Sequence, residues 1–172
     1  LHRQGQLDLA LNEIHGLIAE TPTSPWFHEL KGQVNYEAGR AGDGLAAYEK
    51  SIELAPDQPL LLIGLATTQL SLAENGGELS QKFNRAAENN LRTALRLDPA
   101  NTTAYFQLSK TFGQMQQVAY AEWALAEYFA LLGRPEALKH ARRAIKGLPD
   151  GSPEKIRTTD ILEIARANRA GR

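Results

Sequence analysis

The stretch from residue 26 to residue 57 constrains the fold of this chain most, because it contains a complete helix–turn–helix unit. Apolar and small residues recur at helical spacing in each half, and Gly32 lies in the first half. The sequence Gly-Arg-Ala-Gly at 39–42 predicts a reversal of the chain, and Pro56 ends the second helix. Pro22, another helix stop, lies 34 residues before Pro56. The chain is therefore predicted to repeat one helical hairpin.

Small residues follow the same spacing in three successive repeats, once an insertion in the repeat at 58–99 is allowed for, and they lie where paired helices must cross. This pattern resembles the tetratricopeptide repeat, a 34-residue helical hairpin. The resemblance implies an all-α fold whose hairpins stack into a right-handed superhelix, an α-α solenoid with a C-terminal capping helix. Tyr128 stands where the family has a small residue, so altered packing is expected there. The small residues are Gly32, Gly44 and Ser51, then Ala66, Ala87 and Ala94, then Ser109 and Ala121.

We interpret the whole chain as one solenoid domain built from unequal repeats. The repeat at 58–99 is longer than 34 residues. We assign its extra residues to a glycine-containing turn at 74–80 and to a lengthened second helix. The chain begins at Leu1 in mid-repeat, with Gly5 at the expected turn, so we expect a fragment of a longer protein. Ser24 and Ser152 precede prolines at helix starts and are predicted N-caps. The predicted parts of the 1–172 solenoid are a partial repeat (1–22), a full repeat (24–57), a repeat with an insertion (58–99), degenerate repeats (101–149) and a capping helix (152–169).

The composition argues against several classes of function. The 172 residues carry 19 basic and 20 acidic side chains, for a net charge of −1, which argues against a nucleic-acid-binding protein. The chain has no cysteine, so a disulfide framework and a thiolate nucleophile are both excluded. No apolar run approaches the ~20 residues that a membrane-spanning helix needs. Neither a nucleic acid nor a membrane is therefore the expected partner, and the resemblance to tetratricopeptide repeats implies a protein or a peptide instead.

No residue pattern predicts catalysis or metal binding within this chain. His28-Glu29 begins like the H-E-x-x-H zinc motif, but Gly32 occupies the position of the second histidine. The four histidines are scattered, and no two of them are one helical turn apart. The sequence Asn-Thr-Thr at 101–103 matches the N-glycosylation pattern, although we favour a helix N-cap. The basic run KHARR at 139–143 is interpreted as a solvated helix face.

The resemblance to tetratricopeptide repeats also implies a binding surface. In such repeats the first helices line a concave groove. Chaperone-binding members grip a C-terminal carboxylate with lysine, arginine and asparagine, and only Lys110 resembles such a residue here. We therefore expect a peptide with apolar anchors, while self-association and packing of these side chains against the next repeat stay open as alternatives. The candidate groove residues are Glu29, Gln33 and Tyr36, then Ile63, Thr67 and Leu70, then Phe106, Lys110 and Gln114.

Several phrases give a narrower resemblance. FHELKGQ at 27–33, EAGR at 37–40, ELAPDQPLL at 53–61 and LRLDPANTTAYFQLS at 95–109 resemble the C-terminal repeat region of bacterial BepA-like zinc metallopeptidases. This resemblance implies a periplasmic substrate- or partner-binding arm of a protease concerned with outer-membrane protein quality control. Zinc would belong to a separate H-E-x-x-H domain, so this segment is expected to have no enzymatic activity and no cofactor. The alternative function is a free-standing scaffold or co-chaperone with no protease domain. The alternative location is the cytoplasm.

Overall fold

The computed structural model describes residues 2–74 and 76–170, and within these residues the chain is helical, without any β-strand. The helices form two compact units, with limits at residues 1–97 and 98–172. No helix in the described part of the chain is both long enough and apolar enough to cross a membrane. The helices of the first unit are α1 (His2–Glu20), α2 (Pro25–Glu37), α3 (Ala41–Leu54), α4 (Pro59–Glu74) and α5 (Glu78–Leu97). Those of the second unit are α6 (Thr102–Gln114), α7 (Val118–Leu131), α8 (Glu136–Ala144) and α9 (Pro153–Ala170).

The α2–α3 hairpin lies where the sequence predicts a complete repeat. Pro25 occupies the first turn of α2, where a proline costs no helical hydrogen bond. Ser24 stands at the N-cap position, but its side chain makes no capping hydrogen bond, contrary to expectation. The chain turns at Gly39, whose φ of 76° is left-handed and suits glycine, and its N–H donates to the last turn of α2 at 2.9 Å. Arg40 N–H donates to Asn35 O at 2.8 Å and closes the turn.

The ring of Tyr48 fills the space between α2 and α4. Tyr48 belongs to α3 and is 5% exposed. A Cβ atom added to Gly32 of α2 would lie 2.6 Å from Tyr48 Cδ2, and one added to Gly64 of α4 would overlap Tyr48 Cε1. Gly44 lets α3 approach α2, since its added Cβ would lie 3.1 Å from Gly32 O. Two glycines on different helices therefore make room for one aromatic ring.

Other small residues predicted at helix crossings in the first unit are also fully buried. Ser51 lies near the end of α3, where its Oγ donates a hydrogen bond to Pro25 O at 2.8 Å. This bond ties the end of α3 to the start of α2. Ala66 of α4 and Ala87 and Ala94 of α5 are likewise inaccessible to solvent. Because a larger side chain would force the helices apart, these positions set the helix spacing.

The α4–α5 hairpin absorbs most of the predicted insertion as helix. α4 has 16 residues and α5 has 20, against 13 in α2 and 14 in α3. The lengthened second helix agrees with the prediction, whereas the turn is shorter than the predicted 74–80 because Glu78 already begins α5. Gly76 and Gly77 have left-handed φ angles of 76° and 85°, and Asn75 lies outside the described residues. Extra helix satisfies its own backbone hydrogen bonds, which an added loop would not.

The start of the chain differs from expectation at Gly5. The sequence pattern predicts a turn there, whereas α1 begins at His2 and contains Gly5. An added Cβ at Gly5 would meet nothing within 4 Å, and an internal glycine costs a helix only ~1 kcal/mol relative to alanine. The apolar face of α1, which buries Ile14 and packs against α2, offsets this cost.

The second unit begins at a well-formed helix cap. Asn101 Oδ1 accepts a hydrogen bond from Ala104 N–H at 3.0 Å, which confirms the predicted N-cap. α6 pairs with α7, and α7 also packs against α8 and α9. At the start of α9, Ser152 Oγ accepts a hydrogen bond from Lys155 N–H at 3.2 Å, as predicted. α9 also packs against α8, so it contacts two helices of this unit.

Candidate functional site

Three candidate groove residues lie on one face of α2. Glu29, Gln33 and Tyr36 are spaced at four and three residues, which places them above one another on the helix. Glu29 and Tyr36 are half-buried, whereas Gln33 is exposed and its Nε2 donates to Glu37 Oε1 at 2.9 Å. This face therefore presents an amide, a carboxylate and the edge of an aromatic ring.

The three candidates on α4 are placed differently. Ile63 and Leu70 are only 7% and 4% exposed, so in this structure both side chains contribute to packing. Thr67 is half-buried, and its Oγ1 donates to Ile63 O at 2.8 Å. Helical spacing could not distinguish residues that pack in the core from residues that are available to a ligand, because both faces of α4 are apolar. Of the three, only Thr67 retains substantial exposure, and a binding role for the set stays a prediction.

The candidates on α6 form an exposed aromatic and cationic surface in the second unit. Phe106 is 41% exposed, and its ring centroid lies 5.4 Å from that of Tyr128 on α7. Lys110 Nζ lies 5.6 Å from the centroid of Phe106. Gln114, two turns after Phe106, is half-buried. We call Phe106, Lys110 and Tyr128 the Phe106 patch. Tyr128, where the repeat pattern has a small residue, is therefore a surface partner of Phe106 that the sequence analysis missed.

Two groups near the α2 face have perturbed acidity. Burial raises the pKa of the Glu29 carboxyl. Burial also raises the pKa of the Tyr48 hydroxyl, and the negative charges of Glu29 and Glu37 raise it further. Tyr48 is therefore a neutral packing residue at physiological pH, and Glu29 is the titratable group of this face.

Replacing Glu29 with glutamine is expected to remove a pH dependence of stability. Because the folded-state pKa of Glu29 is raised, the folded protein holds this proton more tightly than the unfolded chain does. The free energy of unfolding of the wild type should therefore fall, relative to Glu29→Gln, as pH rises from the unfolded pKa of about 4.3 through the raised folded pKa. Urea denaturation from about pH 3.5 to 7.5 measures this difference. Glu49→Gln, at an exposed site on α3, is the matched control; a constant difference for Glu29→Gln would contradict the prediction.

An ion pair between a buried carboxylate and a partly exposed arginine links α7 to α9. Arg157 Nε and Nη2 donate to Glu127 Oε1 and Oε2, each at 3.0 Å. Glu127 is 2% exposed, whereas the Arg157 side chain remains 58% exposed. Burial raises the pKa of the neighbouring Tyr105 hydroxyl, the charge of Glu127 adds to this effect, and Arg157 opposes it. No sequence pattern predicted this pair, although Glu127 follows Trp123 by one turn on an otherwise apolar stripe.

The basic run at 139–143 is partly neutralised, so it is not simply a solvated face. His140 Nδ1 lies 2.6 Å from Glu122 Oε2, and Arg143 Nη1 donates to Glu122 Oε1 at 3.1 Å. The His140 ring also stacks on Phe129, with centroids 5.2 Å apart and an interplanar angle of 11°. These contacts fasten α8 to α7. Within the described residues, no group of three His, Cys, Asp or Glu side chains lies close enough to hold a metal ion.

The helical hairpins, with small residues at their crossings, define the class: an all-α helical-repeat protein. No protein-family model matches the chain, and no curated protein matches it. Solved structures do. A thermophilic TPR protein from Thermus thermophilus, TTC0263, is 18% identical with a TM-score of 0.58, over 94% of this chain and 93% of its own.

Two structures of MamA are also similar. One is 16% identical with a TM-score of 0.67, over 99% of this chain and 95% of its own. A second, residues 41 to the end of MamA from Desulfovibrio magneticus RS-1, is 16% identical with a TM-score of 0.66, over 96% and 89%. At these identities the likeness establishes the fold, which is that of tetratricopeptide-repeat solenoid proteins.

Proposed function

We propose that this chain is a protein-interaction module that binds polypeptide segments on the faces of its repeat helices. The observation that carries the proposal is the Phe106 patch, where a large aromatic side chain stays exposed beside a cation. Aromatic residues are enriched at protein interfaces and among the residues that dominate their energetics. The tetratricopeptide fold supports the proposal, since stacked helical hairpins offer extended surfaces for a partner.

The chemistry of the patch suits a segment with apolar or aromatic anchors. Phe106 and Tyr128 offer ring faces to an apolar side chain, and Lys110 offers its ammonium to a carbonyl or carboxylate of the same segment. In the first unit, Gln33 and Tyr36 offer an amide and a ring to a second stretch of polypeptide. Each unit therefore carries its own candidate contacts, and the two can be tested separately.

Phe106→Ala and Tyr36→Ala are each expected to weaken peptide binding by about 1–4 kcal/mol, without loss of helix content. The ligands are peptides selected on the wild-type protein from a random display library, and fluorescence anisotropy measures their affinity. Val118→Ala, at an exposed apolar residue at the start of α7, is the control and should bind normally. If a variant loses affinity and helical circular dichroism to the same extent, its residue belongs to the core and the assignment fails.

The finer proposal is that the module is the partner-binding arm of a periplasmic zinc metalloprotease. It rests on the resemblance of the phrases at 27–33, 37–40, 53–61 and 95–109 to the BepA-like repeat region. The segment itself is proposed to be non-catalytic, with zinc held by a separate domain. The full-length protein should then fractionate with the periplasm and contain stoichiometric zinc. A cytoplasmic, zinc-free protein would favour the free-standing scaffold instead.

A further inference from the structure

A cavity of about 530 Å³ opens in the first unit where α1, α2 and α3 meet. Its charged lining is unequal, because the described residues contribute Lys31, Arg40 and Lys50 but a single carboxylate, that of Asp43. The chain as a whole carries a net charge of −1, so this excess of positive charge is local. We call it the basic cavity. Its other lining residues are Leu11, His15, His28, Asn35, Ala46 and Ala47.

Lys31 is the cation of the basic cavity whose charge is least compensated. Its side chain on α2 is half-buried. Its ammonium makes no hydrogen bond and no ion pair with any residue in the described part of the chain. Charge-assisted hydrogen bonds are stronger than neutral ones, and none among the described residues uses this ammonium. An anionic ligand at this position would supply the missing partner.

The other cations are paired only weakly, and with residues that do not line the cavity. Arg40 Nη2 lies 3.9 Å from Asp8 Oδ1, at the limit of an ion pair. Lys50 Nζ lies 2.7 Å from Glu53 Oε1, and both side chains of that pair are exposed. Exposed pairs of this kind contribute only ~0–1 kcal/mol. A ligand carboxylate can therefore compete for Arg40 and Lys50 at little cost.

We propose that the basic cavity binds an acidic polypeptide segment through two or more of its Asp or Glu side chains. The cations come from two helices and the turn between them, so they can engage separate carboxylates along one segment. Leu11, Ala46 and Ala47 give the cavity an apolar part for the backbone and side-chain stems of that segment. The volume falls within the ~300–1,000 Å³ of ordinary ligand pockets and exceeds what one isolated anion fills.

This site is distinct from the candidate groove. His28, Lys31 and Asn35 of α2 line the basic cavity, whereas Glu29, Gln33 and Tyr36 lie on another side of the same helix. Among the described residues that line the cavity there is no Phe, Tyr or Trp, the side chains that usually stack on the bases of a single-stranded nucleic acid. The proposal therefore adds a second surface, specific for acidic segments, to the module.

The test uses a fluorescent, end-blocked peptide in which glutamate alternates with leucine, and its glutamine analogue. The glutamate peptide should bind the intact chain, measured by anisotropy, and the glutamine analogue should not. Lys31→Gln combined with Arg40→Gln should lower the affinity at least about tenfold, since charge-assisted hydrogen bonds are lost. Asp43→Asn should raise the affinity, because it removes the one carboxylate that the described residues contribute to the lining.

Matched controls make each outcome decisive. Lys82→Gln combined with Arg85→Gln removes the same two positive charges from exposed sites on α5 and should leave binding unchanged. Library peptides whose affinity Phe106→Ala lowers should bind the Lys31→Gln, Arg40→Gln variant as they bind the wild type, which separates this site from the proposed function. Circular dichroism and thermal unfolding check that the variants fold. Equal weakening by Lys82→Gln with Arg85→Gln, equal binding of the glutamine analogue, or weakening by Asp43→Asn would overturn the proposal. Displacement of the peptide by inorganic phosphate at matched concentration would show a site for isolated anions and also overturn it.

Discussion

Replacing Gly64 with alanine is expected to lower the free energy of unfolding by about 1–3 kcal/mol, the cost of overpacking a closely packed core. The added methyl group would overlap the ring of Tyr48, which is itself confined on its other side by Gly32. An aromatic ring held between two helices cannot move aside as the end of a flexible side chain would. Urea denaturation of the wild type and the variant measures the difference.

A double-mutant cycle shows whether the ring is the cause. In a Tyr48→Ala background, which alone should cost about 3–5 kcal/mol, Gly64→Ala should cost little because the space is empty. Gly42→Ala is the matched control, since a Cβ there meets nothing within 4 Å and alanine favours helix. If Gly64→Ala costs the same with and without the tyrosine ring, the proposed packing of Tyr48 is wrong.

Arg157→Met is expected to destabilise the protein by about 2–4 kcal/mol, somewhat below the ~3–5 kcal/mol for breaking a wholly buried ion pair. The variant leaves the Glu127 carboxylate buried without its bidentate partner, and water reaches it poorly because Glu127 is 2% exposed. The expected destabilisation is smaller than for a wholly buried pair because Arg157 is partly exposed, so solvent screens the interaction. Thermal and urea unfolding provide the measurement.

The double variant Glu127→Met with Arg157→Met should recover most of this loss, because no charge is then left buried. Arg134→Met removes an exposed arginine from the turn between α7 and α8 and should change stability little. A double variant as unstable as Arg157→Met alone would show that the lost contribution comes from packing of the arginine stem and not from the stranded carboxylate.

The candidate site could be predicted from the sequence only in part. Helical spacing placed Glu29, Gln33 and Tyr36 on one face of α2, as the structure shows. The same reasoning chose Ile63 and Leu70, which are buried, because an apolar residue at helical spacing has the same pattern in a groove and in a core. Spacing along one helix does not report what lies opposite it.

The sequence by itself determined the helices, their order and several of their ends, because these depend on neighbours in the chain. Proline stops, the Asn101 cap and the small residues at the α2–α3 crossing act within one hairpin, so a local pattern contains them. The turn predicted at Gly5 was wrong, because the packing of an apolar helix face outweighs the weak helix preference of glycine.

Only the tertiary structure decided which side chains meet across hairpins. Gly64 lies outside the repeat that contains Tyr48, and Arg157 is 30 residues from Glu127. Neither the contact of Tyr48 with Gly64 nor that of Glu127 with Arg157 can be predicted from residue spacing, because each depends on how one hairpin is rotated against the next. The basic cavity arises in the same way, from side chains of α1, α2 and α3 that are ordinary surface cations in the sequence. Helix formation is a local property of this chain, whereas its packing partners and its positive cavity are properties of the assembled helices.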